Sequence, residues 1–395
     1  AGRPAQHPGG NASAHRRIAV HGTGLPNRQP AARAGGQARR STDRRCRRHR
    51  RACAPGRPGR SGTAALHAAR PGAGRAGLCA AVRPLAPTDL PDFGEPMKPL
   101  VFHLPGDEDF ADGLIRALGA QRAALQLHRF PDGESLVRLD ADVTGRTVVI
   151  VASLAQPDAK ALPLLFAADA ARDLGATRVL LAAPYLAYLR QDRRFNTGEA
   201  ITSRTFAALV STVFDGIVTV DPHLHRYRSL GEVYRVPTRV VQSAPAIAAW
   251  VAAHVDRPVL IGPDAESEQW VQEVARLAGA PFTVLQKIRR GDKDVEVSLP
   301  DTAALADRQP VLIDDIVSSA RTMIQAIASV RSVGLPPPVC IGVHALFAAD
   351  AYHALLAAGP QRVVTCDTVP HVSNGISVVA PLATAVQELM EAGAP

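Results

Sequence analysis

From residue 97 onward the chain alternates short β-rich runs with longer Ala- and Leu-rich stretches, and this alternation limits the possible folds more than any single motif does. Strands are expected over Pro99–Leu104, Arg146–Ala152, Arg178–Ala183 and Gly216–Val220, with helices over Lys160–Leu174 and Ile201–Val213 between them. A second series follows, with strands over Pro258–Ile261, Phe282–Leu285, Pro310–Asp314 and Val339–His344 and helices over Ala244–Val255, Glu266–Ala278 and Thr322–Val333. Strands that alternate with helices predict parallel sheets covered by helices on both faces. Two such series predict an α/β protein with two domains, 97–240 and 241–395, meeting near Val240.

Residues 1–96 do not continue this pattern. They are rich in Ala, Arg, Gly and Pro, and they hold eighteen arginines, no lysine and four acids, a balance of +14. Residues 97–395 carry 27 bases against 32 acids, so the net charge of +9 belongs to the first quarter alone. No apolar period of 2 or 3.6 runs through 1–96, so the segment cannot bury enough surface to offset chain entropy. Three accounts fit it: residues translated from upstream of the true start at Met97, a disordered tail, or a nucleic-acid-binding arm. The composition favours the first, because arginine without lysine is what GC-rich DNA encodes. An arm could contact phosphates, but no aromatic is interleaved to stack on bases, and nucleic acid is not expected as a partner.

Five cysteines show no paired spacing, which fits reduced thiols in a cytoplasmic protein. No apolar run reaches the ~18 residues of a membrane span, and no secretory signal is recognisable.

The densest chemistry lies at Val311-Leu-Ile-Asp314-Asp315-Ile-Val-Ser318-Ser319-Ala320-Arg321-Thr322. Three apolar residues read as a buried strand, two acids stand at its carboxyl end, and a small polar turn opens a helix. Ligands of parallel α/β sheets bind at that end of the strands. A helix N-terminus with unpaired N–H groups suits a phosphate, and Asp314 and Asp315 can accept hydrogen bonds from sugar hydroxyls. The plainer reading is an Asp-Asp strand end followed by a serine-capped helix.

Four other segments carry similar clusters. Phe130-Pro-Asp132-Gly133-Glu134 is a turn signal by itself. Tyr185 to Arg194 includes Arg190-Gln191-Asp192-Arg193-Arg194, which alone would read as a solvated loop. Asp221-Pro-His223-Leu-His225 follows a strand and could be mistaken for a zinc pair, although cysteine is absent and carboxylates are sparse. Gly262-Pro-Asp264 ends another strand, and the acids Glu266 and Glu268 behind it suit a helix start. Lys287-Ile-Arg289-Arg290 precedes a polar stretch read as a mobile flap.

Together these segments resemble the ribose-phosphate pyrophosphokinase family, over nearly all of residues 97–395. The resemblance implies two tandem type I phosphoribosyltransferase-like domains with mostly parallel sheets. It implies that Ser318, Ser319, Ala320, Arg321 and Thr322 hold the phosphate of ribose 5-phosphate, with Asp314 and Asp315 on the sugar. The loop departs from the family, which commonly has Asp at Ser318 and glycines at Ala320 and Arg321. Arg190 and Gln191 are implied to bind ATP, and Phe130, Asp132, Gly133 and Glu134 to reach the adenine site of a neighbouring subunit, so that a homo-oligomer is expected. His223 and Asp264 are implied ligands of Mg²⁺, although nitrogen is an uncommon donor for that hard cation. The Gly-Gly that usually follows the second ligand is missing. Lys287 and Arg289 are implied to act on the transferring group. The expected activity is transfer of the diphosphoryl group of Mg-ATP to ribose 5-phosphate. A phosphoribosyltransferase and a non-catalytic regulatory relative remain as alternatives.

Overall fold

Strand β5 (Thr147–Val151) shows why the β-rich runs bury both faces. Val149 and Val151 enter one core cluster while Val148 and Ile150 enter another, because successive side chains point to opposite sides of a sheet. Each of these four is fully buried, which contributes on the order of 1.5–3 kcal/mol for a side chain of that size. A computed structural model describes residues 97–290, 294–298, 305 and 307–392. Residues 1–96, with the three accounts of them, lie outside the described residues.

β5 is central in a six-stranded sheet. Its order is β2 (Gln121–Arg122), β1 (Leu100–His103), β5, β6 (Arg178–Ala183), β7 (Gly216–Val220) and β8 (Thr238–Val241). A second six-stranded sheet runs β10 (Phe282–Val284), β9 (Pro258–Gly262), β13 (Gln309–Val317), β14 (Val339–Ala345), β15 (Arg362–Cys366) and β16 (Asn374–Ile376). Every pairing within both sheets is parallel, as the alternation predicts. The two antiparallel exceptions stand apart as hairpins, β3 (Ala124–Arg129) with β4 (Ser135–Asp140) and β11 (Gln286–Arg290) with β12 (Asp294–Ser298).

Three apolar clusters stack through this unit. The outer face of the first sheet packs on α2 (Asp158–Asp173) and α3 (Thr202–Val213) through Leu164, Ala167 and Phe206. The outer face of the second packs on α6 (Arg321–Ser332) and α7 (Ala351–Ala357) through Met323, Ile327 and Leu355. The third and largest cluster joins the two inner faces with α1 (Glu108–Leu118), α4 (Ala244–His254), α5 (Glu268–Ala278) and α8 (Val379–Ala392). No helix among the described residues is long and apolar enough to cross a membrane.

Three observations refine the expected elements. Strand β13 runs on through Asp315 to Val317, pairing Ile316 with His344 and Val317 with Ala345, so the two acids are held inside a sheet rather than after it. Helix α1 is an element the strand–helix reading left out, although Phe110, Leu114, Ile115 and Leu118 recur at helical spacing; Glu108 and Asp109 complement its N-terminal dipole and Gly119, at φ 59°, closes it in the left-handed region. Helix α8 returns from the second series to the first sheet. Arg178 donates to the carbonyls of Leu389 and Met390, each at 2.8 Å, and a Cβ on Gly216 would stand 3.1 Å from both Leu180 and Leu389.

Leu389 is 1% exposed in this contact. Leu389→Ala should lower unfolding free energy by roughly 2–5 kcal/mol, measured by urea denaturation. An unchanged midpoint would show that α8 does not hold the first sheet.

Candidate active site

The carboxyl ends of both sheets open onto one cleft of about 500 Å³. Arg190, His223 and the Asp221 turn enter it from the first sheet, and Asp264, Asp314, Asp315 and Thr322 from the second. Six of the residues singled out from the sequence therefore share one space: Arg190, His223, Asp264, Asp314, Asp315 and Thr322.

His223 follows β7 by way of Asp221, whose φ of 32° is unusual for a residue with a side chain. The turn is held from several sides. The Asp221 N–H donates to Val241 at 3.0 Å, and its carboxylate accepts from the Ser243 N–H at 2.9 Å and from the Ser243 hydroxyl. Burial pushes the Asp221 carboxyl above its ordinary range even so. Strained backbone that the surroundings hold in place is typical of functional turns.

His223 Nδ1 lies 2.8 Å from Asp315 Oδ2. Burial opposes ionisation of Asp315, but the hydrogen bond from His223 outweighs it and holds the carboxyl below its ordinary range. A carboxylate only accepts, so Nδ1 carries the proton and Nε2 is the ring nitrogen that can act as a ligand. Asp314 behaves oppositely: burial, then the neighbouring Asp315 and Asp264, push it up to about 7. Asp264 sits past β9, where the Ser267 N–H and hydroxyl bond back to its Oδ1 and carbonyl oxygen at 3.3 and 2.6 Å.

His223, Asp264, Asp314 and Asp315 offer nitrogen and oxygen donors that a divalent cation could share with water and a bound anion. Among the described residues no three acidic, imidazole or thiol groups gather to hold a metal unaided. Mg²⁺ does not need such a cage, since it generally keeps water and takes substrate phosphates beside one or two protein ligands. Burial first, and then repulsion from Asp315 and Asp264, lifts Asp314, and a cation in the cleft would relieve the repulsive part.

At the turn into α6, Ala320 is left-handed at φ 57° and occupies the cap position of the helix, and no side chain caps it. Serine capping, the plainer reading of Ser318 and Ser319, is not what the turn does. Thr322 faces the cleft, whereas Ser318, Ser319, Ala320 and Arg321 stand beside it without lining it.

Arg190 lines the cleft, but Gln191 turns away from it: its Nε2 donates to Glu199 Oε2 at 3.1 Å. Glu199 also accepts from the N–H groups of Phe195 and Asn196 at 2.8 and 3.0 Å and from Asn196 Nδ2 at 2.6 Å. Asp192 is paired to Arg226 at 2.7 Å with its own side chain 1% exposed. The polar run is thus a loop whose Arg190, Arg193 and Arg194 are exposed, braced from beneath through Gln191 and Asp192.

Phe130, Asp132, Gly133 and Glu134 form the tip of the β3–β4 hairpin. The Phe130 N–H donates to Glu134 at 2.8 Å and the Glu134 N–H to Asp132 Oδ1 at 3.1 Å. Phe130 is 40% exposed, and none of the four lines this chain's cleft. Lys287 and Arg289 lie on β11, whose backbone is described and whose side chains fall outside the described residues; its partner β12 passes beside α6. Sequence reading did not single out Asp221, Ser243 or Glu199 as site supports. Only Asp221-Pro222, a turn signal, pointed to one of them.

The hydrogen bonds to Glu199 hold its carboxyl down at about 2. Its contribution is therefore complete above the ordinary value of 4.5 and is lost as pH falls toward 2. Glu199→Ala should loosen residues 190–199, read as faster amide exchange at Phe195 and Asn196 at pH 7. Unaltered exchange would remove the bracing role.

Comparison with known proteins agrees with this arrangement. A family model described as the N-terminal domain of ribose phosphate pyrophosphokinase matches residues 100–213, and one described as a phosphoribosyl transferase domain matches 238–380. The ribose-phosphate pyrophosphokinase of Methanopyrus kandleri is 36% identical over 279 residues, covering 70% of this chain and 94% of the relative. That of Halobacterium salinarum is 34% identical over 281 residues, covering 71% and 97%. The crystal structure of phosphoribosylpyrophosphate synthetase from Mycobacterium smegmatis shares the fold, with a TM-score of 0.66 at 23% identity over 75% of this chain and 100% of that one. The chain belongs to the ribose-phosphate pyrophosphokinase family.

Proposed function

We propose that the chain transfers the β,γ-diphosphoryl group of Mg-ATP to the C1 hydroxyl of ribose 5-phosphate, giving phosphoribosyl pyrophosphate and AMP. The observation that carries this reading is the single cleft lined by Arg190 and His223 from one sheet and by Asp264, Asp314, Asp315 and Thr322 from the other. Two substrates that must meet in line need two facing walls.

The sugar oxygen forms a bond to the β-phosphorus, the bridge from that phosphorus to the α-phosphate oxygen breaks, and the hydroxyl proton leaves. Such a transfer asks the protein mainly for positioning and charge stabilisation. The uncapped start of α6, with Thr322 and the flanking Ser318, Ser319, Ala320 and Arg321, seats the 5-phosphate on backbone N–H groups. Asp314 and Asp315 receive the sugar hydroxyls, and the opposite ionisation tendencies of the pair let one accept while the other donates. Arg190 presents a planar cation to the triphosphate or the adenine face, with Gln191 fixing its loop. His223 and Asp264 would hold Mg²⁺, directly or through water, where it would offset charge on the transferring phosphates.

Lys287 and Arg289 act on the β,γ-phosphates from the β11–β12 hairpin, whose closure would exclude water. The β3–β4 tip, with Phe130, Asp132, Gly133 and Glu134, completes the ATP site of a second copy of the chain in a homo-oligomer. Its exposed aromatic and its separation from this chain's cleft support that role. The halves 97–240 and 241–395 act as the two working domains, with α8 crossing back between them, and the reaction has a cytoplasmic setting.

Lys287→Ala should lower kcat by roughly 10²–10³ with little change in KM, as for loss of one transition-state donor, in an assay of AMP formed from ATP and ribose 5-phosphate. Activity near wild type would exclude Lys287 from the reaction. A wild-type chain forming no AMP would favour a non-catalytic relative, and consumption of phosphoribosyl pyrophosphate with a base would favour a phosphoribosyltransferase.

A further inference from the structure

His344 is unused by the mechanism above, yet it is the most deeply placed ionisable ring beside the cleft. It lies on β14, pairs with Ile316 of β13, and is 1% exposed. Its Nε2 lies 3.2 Å from the carbonyl oxygen of Asp221, and its Nδ1 lies 2.9 Å from the Thr368 hydroxyl. The Tyr185 ring meets it edge-on at 4.9 Å. Burial keeps the ring neutral, pushing it down to about 4.

A neutral imidazole carries one proton, and a carbonyl oxygen can only accept. The proton therefore sits on Nε2 and is donated to Asp221, which leaves Nδ1 to accept from Thr368. The Thr368 hydroxyl is also 2.7 Å from the Val343 carbonyl, and its single proton serves one of the two at a time. Thr368 is anchored in turn, because its carbonyl accepts from the Ser153 hydroxyl at 2.7 Å, across from the first sheet.

Asp221 is thus gripped at its three polar groups. Val241 takes its N–H, Ser243 binds its carboxylate, and His344 binds its carbonyl. The last grip is the one made by the second sheet, and it acts two residues before His223.

We propose that His344 is a positioning residue, whose Nε2–H fixes the left-handed Asp221 turn and so sets His223 against Asp315 and the phosphates of the nucleotide. The inference rests on the diphosphoryl-transfer reading and adds to it a residue that touches no substrate. Buried partners that orient a ligand side chain typically matter by 10–100-fold in metal affinity or activity.

His344→Leu removes the donor at similar volume, and His344→Gln restores an N–H at the reach of Nε2. The probe is Mn²⁺ in the presence of a non-hydrolysable ATP analogue, its binding followed by electron paramagnetic resonance on the full chain. Binding to His344→Leu should weaken about tenfold, with the KM for ribose 5-phosphate unchanged, and His344→Gln should recover most of the loss. Wild-type Mn²⁺ affinity in His344→Leu, or a His344→Gln no better than His344→Leu, would overturn the proposal. If His344→Leu does not fold, Thr368→Val, which removes the hydroxyl that the ring accepts from, should weaken Mn²⁺ binding in the same direction, and no change would overturn the proposal equally. A wild-type chain that binds the Mn²⁺–nucleotide but forms no AMP would defeat the transfer reading and leave the positioning role standing.

Discussion

The bond between His223 and Asp315, 2.8 Å long, is the contact on which the site depends. Each residue comes from the carboxyl edge of a different sheet, so the bond spans the cleft as well as lining it. It selects the ring tautomer, keeps Asp315 ionised in partial burial and aims the other ring nitrogen. Hydrogen bonds to charged groups contribute roughly 1.5–3 kcal/mol, enough to hold one local geometry but not to hold two domains together. The apolar cluster shared by the inner faces does that larger task.

Around this bond the two sheets do different work. The first supplies braced turns: the Asp221 turn held by Ser243 and Val241, and the Arg190 loop held by Glu199 and Arg226. The second supplies a strand that carries charge further than expected, since β13 keeps Asp314 and Asp315 alongside β14 before the chain turns into α6. Helix α8 then ties the end of the second series to the first sheet through Arg178 and Leu389. Both walls of the cleft are hydrogen-bonded from behind, while the two groups expected to act on the transferring phosphates, Lys287 and Arg289, are on a separate hairpin.

Much of this was legible from residue pattern, and what was not has physical causes. Continuous apolar runs such as Val148 to Val151 announce strands buried on both faces, and the parallel sheets followed from their spacing. Helix α8 has a polar face at Thr384, Gln387, Glu388 and Glu391, but its docking surface lies some two hundred residues earlier in the chain, so its place against the first sheet was not legible. The residues of the cleft were legible as clusters at strand ends, whereas their supports were not. Glu199, Ser243 and His344 are ordinary residue types whose importance comes from where the fold brings them. Gln191 shows the reverse, a residue conspicuous in sequence whose side chain is spent on bracing a loop.

A double-mutant cycle on His223 and Asp315, read in kcat/KM for phosphoribosyl pyrophosphate formation, tests directly whether these residues act as one unit across the cleft. The account predicts that the double variant His223→Ala/Asp315→Ala loses little more than the worse single variant, because residues acting as a unit are strongly non-additive. Losses that simply add, within about 0.3–0.5 kcal/mol, would contradict it and leave the two sheet edges as independent neighbours.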